Sequence, residues 1–130
     1  MDFCYTVIYV PDVLKAIEFY EKAFDLKRNF IHESLEYGEL DTGNTKISFV
    51  SESLANLNRL SFVSNDISSS KSAGFTIAFI TDKVLSAYKQ AISAGAISVY
   101  EPTEKFWGQM VACVKDLNGV LVEISSPIKK

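Results

Sequence analysis

Apolar positions along this chain follow one rhythm, then another, and then the whole succession starts again. From Tyr5, the stretch YTVIYV is built of β-branched and aromatic residues, as a strand is. After Pro11–Asp12 the spacing changes. Leu14, Ile17, Tyr20 and Phe24 recur at three- and four-residue intervals, which predicts an amphipathic helix with Asp12 as its cap. Three more strands are expected from KRNFIHES (27–34), EYGELDT (36–42) and TKISFVS (45–51), the last two joined by a turn at Gly43–Asn44.

Displaced by 70 residues, the chain lies on itself without a gap. YTVIYVPDVLKAIEFYEKAFDLKRNF (5–30) falls on FTIAFITDKVLSAYKQAISAGAISVY (75–100), with Asp82 under Asp12 as a second capping candidate. Val84, Leu85, Tyr88 and Ile92 mark the second helix, and Gly95 is placed to stop it. Strands are then expected at 96–101, 108–116 and 119–125, with a turn at Asn118–Gly119. The unit is βαβββ, used twice. The fold class that follows is α+β within a single domain, 1–130. Module one covers about 1–52, a linker about 53–73, and module two about 74–127. The serine-rich SNDISSSKSAG (64–74) reads as surface linker, and FVSESLANLNRL (49–60) before it carries no clear element beyond its strand end. Two copies are too few for a solenoid, so a pseudo-twofold pair is expected.

Composition narrows the function classes. Hydrophobic content of 48% with 22% charged residues is that of a globular domain, without a disorder signature. A net charge of −3 argues against a nucleic-acid surface, with no basic run longer than a pair such as Lys129–Lys130 at the tail. MDFCYTVIYV lacks a basic leader and is read as a strand, not a signal peptide, and no run approaches membrane-spanning length. Cys4 and Cys113 are read as reduced, buried thiols of a cytoplasmic protein. Nucleophile elbows, P-loops and CxxC pairs are missing, and the single histidine, His32, falls in an ordinary strand position. One charge stands out: Glu123 lies among Val120, Leu121, Val122 and Ile124, where a carboxylate needs a partner, a proton or a bound group.

The opening YVPDV…AIEFYEKAF, the middle YGELDTGNTKISFVS and the close WGQMVACVKDLNGVLVEISSP resemble the vicinal oxygen chelate superfamily, which includes glyoxalase I, bleomycin-resistance proteins and extradiol dioxygenases. The resemblance covers nearly the whole chain. It implies paired βαβββ modules whose mixed sheets curl around a cleft, completed within a chain or across a homodimer. In glyoxalase-like members the cleft holds a divalent metal on one ligand from the first and one from the last strand of each module, typically His, Glu, His, Glu. Carried onto this sequence, those positions are Tyr5, Ser48, Phe75 or Thr76 (a one-residue register choice) and Glu123. A single carboxylate with a phenol and a hydroxyl is a poor divalent site, so no metal and no other cofactor is expected. Drug-binding members place a similar Trp–Gly at their ligand cleft, which points to Trp107–Gly108.

The reading is a binding or sequestration protein for a small organic molecule, with Tyr5, Ser48, Phe49, Trp107 and Glu123 as ligand-binding candidates and Tyr37 as a further candidate wall. Phe49 also reads as core. No nucleic-acid or membrane partner is expected. Should the chain catalyse, Glu123 is the first candidate, as an acid or base beside Tyr5. The alternatives are a glyoxalase-like lyase or isomerase with a degenerate metal site, and a module serving only protein–protein assembly.

Overall fold

The computed structural model describes residues 1–128, so the Lys129–Lys130 pair lies outside it. Contacts divide the chain into two compact units, one from Met1 to Asn65 and one from Asp66 on.

In the first unit, β1 (Tyr5–Val10) leads into α1 (Val13–Phe24). Asp12 is extended and its carboxylate accepts the Lys15 amide at 3.0 Å, satisfying one of the first-turn donors that no helix can pair internally. The helix ends at Asp25, which takes the left-handed conformation at φ 55°. Then come β2 (Lys27–Ile31), β3 (Tyr37–Asp41) and β4 (Lys46–Ser51), forming a sheet in the order β1-β4-β3-β2. β1 runs parallel to β4, and the other pairs are antiparallel. Alternation sorts the side chains. Ile8, Val10, Leu40, Ile47 and Phe49 turn toward α1 and are buried with Ile17 and Tyr20. Each such side chain contributes roughly 1.5–3 kcal/mol on leaving water. A short helix, α2 (Glu52–Leu57), follows β4, its first turn capped by the Ser51 hydroxyl, which accepts the Leu54 amide at 3.1 Å. Six residues are too few to show a helical period, which is why the sequence offered no element there.

The second unit repeats the plan with β5 (Thr76–Ile80), α3 (Val84–Ser93), β6 (Ile97–Glu104), β7 (Met110–Lys115) and β8 (Leu121–Ser125), in the sheet order β5-β8-β7-β6. Here the gapless 70-residue overlay needs correction. Val84 opens α3 as Val13 opens α1, a displacement of 71. The residue before it is Lys83, whose side chain makes no capping bond, so Asp82 is not the cap that the overlay made it. The count returns to 70 past the helices, where left-handed Gly95 (φ 112°) matches Asp25 and β6 opens at Ile97 as β2 does at Lys27.

Nor is the serine-rich stretch from Asp66 to Ser72 a loose connection. The Ser72 hydroxyl donates to the Gly119 carbonyl at 2.6 Å, and the Lys115 ammonium donates to the Ser69 carbonyl at 3.1 Å. The segment is strapped over the β7–β8 turn, where Gly119 holds φ 86° and a Cβ would stand 2.7 Å from the Asp66 carbonyl oxygen.

Candidate functional site

The face of the first sheet turned away from α1 carries Tyr5 and Val7 from β1, Phe30 from β2, Tyr37 and Glu39 from β3, and Ser48 and Val50 from β4. Together they line a cavity of about 320 Å³. Their meeting follows from register. The β3–β4 hairpin sets Glu39 opposite Ser48 and Tyr37 opposite Val50, and the parallel β1–β4 pairing sets Val7 opposite Ser48. Phe30 and Tyr37 meet edge to face at 5.4 Å, and the His32 ring stacks on Tyr37 at 5.6 Å. The walls are therefore aromatic and aliphatic.

Glu39 is the polar centre. It is only 6% exposed, and a carboxylate that deep requires hydrogen bonds. One oxygen accepts from the Asn29 amide. Asn29 reaches it because β2 bulges there: Arg28 pairs with Leu40 and Phe30 with Glu39, leaving Asn29 the extra residue. The Tyr5 phenol faces the same carboxylate. Its pKa is raised by the Glu39 charge first, then by burial and by a hydrogen bond to Glu39. Tyr5 thus stays a neutral donor toward an anion.

The matching face of the second unit holds a different chemistry. Tyr100 lies opposite Cys113, and Cys113 opposite Glu123. Burial pushes the Cys113 thiol up, with Glu123 adding to it, and Tyr100 is raised by burial, then by Cys113 and Glu123. Glu123 is half-buried and accepts the Ser125 hydroxyl at 3.0 Å, which answers how the last strand tolerates its carboxylate. The Lys105 ammonium sits 4.5 Å from the centre of the Tyr100 ring.

Of the residues singled out from sequence, Tyr5 and Ser48 come together in the first unit's cavity. Phe49 does not belong with them. It is fully buried on the α1 side, its ring 5.2 Å from Tyr20, because neighbours on a strand point to opposite faces. Trp107 and Glu123 belong to the second unit. Trp107 is 48% exposed at the β6–β7 turn, its indole N–H donating to Gln109 at 2.8 Å and its ring edge to face with Phe106. The register choice falls on Thr76. It pairs with Leu121, two residues before Glu123, as Tyr5 pairs with Lys46, two before Ser48. Phe75 precedes the strand. The residue that sequence reasoning missed is Glu39, with its partner Asn29. The signal for Glu39 was present, since counting back from the Gly43–Asn44 turn sets it opposite Ser48.

These residues do not fit a divalent metal. Tyr5, Ser48 and Thr76 are weak neutral donors, and the described residues hold no group of three or more His, Cys, Asp or Glu placed to share an ion. No helix among the described residues is long and apolar enough to cross a membrane.

Comparison with known proteins agrees with this architecture. A glyoxalase/bleomycin resistance protein/dioxygenase family enzyme from Burkholderia phytofirmans PsJN superposes with a TM-score of 0.80 at 24% identity, covering 97% of this chain and 98% of that one. A glyoxalase-related enzyme from Fulvimarina pelagi gives 0.81 at 14% identity, over 98% of this chain and 88% of its own. TioX from Micromonospora sp. ML1 gives 0.73 at 18% identity, over 97% and 98%. At such identities the likeness is one of fold. No curated protein matches the chain. The family model does, from residue 3 to residue 124, and by that match the chain belongs to the Glyoxalase/Bleomycin resistance protein/Dioxygenase superfamily.

Proposed function

We propose that the chain binds a small organic molecule on the open face of the β1–β4 sheet, and does so without a divalent metal. The observation that carries this reading is the buried Glu39 carboxylate at the floor of an aromatic-walled cavity. A volume of about 320 Å³ lies at the small end of the range for ligand pockets, where apolar walls with a few fixed polar groups are the usual make-up. Tyr5 and Asn29 orient the carboxylate, and Ser48 supplies a hydroxyl beside it. A metal-dependent lyase or isomerase would need donors that Tyr5, Ser48 and Thr76 do not supply.

The test has two arms. Elemental analysis of purified protein should find no stoichiometric metal, and a compound screen by ligand-observed NMR should find saturable binders. Val50→Trp, which fills the cavity from its rim, should abolish them. Near-stoichiometric Zn, Ni, Fe or Mn that is lost on replacing Glu123, or binders untouched by Val50→Trp, would overturn the reading. A homodimer is proposed with it. Apolar side chains stand exposed on both units, among them Phe3 and Val7 in the first and Ile80 and Ile97 in the second. Light scattering that shows only monomer at high micromolar concentration would refute this.

A further inference from the structure

Resting on that reading, we propose that the molecule held there is an organic cation with an apolar arm. Its positive head would sit among Tyr5, Phe30 and Tyr37 over the Glu39 carboxylate.

The charge balance of the cavity leads to this. Glu39 is 6% exposed, yet both its partners, Asn29 and Tyr5, are neutral. Among the described residues none forms an ion pair with it. The nearby cations are bonded to other groups, although the Lys46 charge also reaches Tyr5. The Lys46 ammonium bonds Asp41 at 3.3 Å and the Gly43 carbonyl at 3.0 Å, and the Arg28 guanidinium bonds Glu21 at 3.0 Å. No lysine or arginine lines the cavity. A buried anion without a countercharge is costly, and removing that cost is free energy available to a ligand.

The walls select the same way. Tyr5, Phe30 and Tyr37 present ring surface around the carboxylate, and ring faces attract a positive head. An anionic ligand would meet Glu39 with nothing to offset it. A neutral ligand would use the aromatic walls and leave the carboxylate as it was. Only a cation draws on both, and Val7 and Val50 offer the apolar contact for an arm.

Three probes with one arm and different heads decide the matter by calorimetry: phenethylammonium, 2-phenylethanol and phenylacetate. Phenethylammonium is expected to bind about tenfold or more tighter than the alcohol, with phenylacetate the weakest, since a hydrogen bond to a charged partner is worth that much. Glu39→Gln should erase the advantage of the ammonium while leaving the alcohol within about twofold of its original affinity. If that variant does not fold, as circular dichroism would show, the wild-type ranking decides alone. Equal binding of ammonium and alcohol, lost in Val50→Trp, would refute the cation and leave the pocket standing. Failure of all three probes to bind, together with an empty compound screen, would remove the pocket and the cation with it.

Discussion

Replacing Gly119 with alanine should destabilise the second unit by about 2–5 kcal/mol, and the reason can be separated into parts. The backbone there holds φ 86°, a conformation that costs an L-residue roughly 1–2 kcal/mol. The added Cβ would also stand 2.7 Å from the Asp66 carbonyl oxygen, 3.0 Å from its carbon and 3.1 Å from the Ile67 Cα. These are backbone atoms and cannot rotate away. Relief requires the strap to lift, which threatens the Ser72–Gly119 and Lys115–Ser69 hydrogen bonds, each contributing about 0.5–1.5 kcal/mol net. Gly43 is the built-in control. It occupies the equivalent turn of the first unit at φ 93°, with nothing within 4 Å of its missing Cβ. Gly43→Ala should therefore cost only the backbone part, about 1–2 kcal/mol. Urea unfolding followed by fluorescence of Trp107, the single tryptophan and a reporter in the second unit, measures the first variant; far-UV circular dichroism measures both. If the two variants lose the same stability within about 0.5 kcal/mol, the close approach of the strap to the turn is wrong.

The remaining predictions concern single side chains. Tyr5 should titrate above the ordinary tyrosine value, and Glu39→Gln should bring it back down; because the folded pKa is the raised one, its stabilising contribution is present at neutral pH and fades as pH climbs past about 10. Spectrophotometric titration against a Tyr5→Phe reference checks this, and an unshifted Tyr5 would break the link to Glu39. Phe49→Ala should cost about 3–5 kcal/mol in chemical denaturation, as expected of core rather than cavity wall, and a loss under about 1 kcal/mol would return Phe49 to the surface. Cys4 is exposed, against the burial expected of both thiols from sequence, so iodoacetamide should alkylate it well before buried Cys113, whose thiol is also held in its unreactive protonated form. Mass spectrometry of the native protein that finds Cys113 alkylated as fast as Cys4 would refute this.

Most of the fold was legible because its signals are local. The Asp12 cap, the α1 stripe, the Gly95 stop and both hairpin turns are each written within a few residues. What misled was the match between the halves. Overlaying Tyr5, Val7 and Tyr9 on Phe75, Ile77 and Phe79 pairs apolar with apolar, but the first three face away from α1, whereas Ile77 and Phe79 alternate with the exposed Thr76, Ala78 and Ile80. Strand side chains alternate, so an error of one residue exchanges the two faces while the composition still agrees. Glu39 was hidden for another reason. It lies in a stretch with Glu33, Glu36 and Asp41 that looks like solvated surface, and only the pairing of β3 with β4 and β2 encloses it. Trp107 shows the opposite case, since an accessible aromatic beside Gly108 in the loop before β7 is readily read from sequence, and it is 48% exposed there.

The bulge at Asn29 separates the length of β2 from the direction its side chains face. Anywhere else in the ladder, losing one residue would turn the cavity's aromatic rim into the core and the core outward. Here the ladder would simply close, since Arg28 and Phe30 already stand opposite the neighbours Leu40 and Glu39. The second unit interrupts β6 at the matching place, between Ser98 and Tyr100, with Val99 as the extra residue. A one-residue deletion at this point would thus strip Glu39 of its amide donor and leave every other wall in place. The polarity of the cavity can be retuned by insertion or deletion, where a substitution would have to fit a space already made.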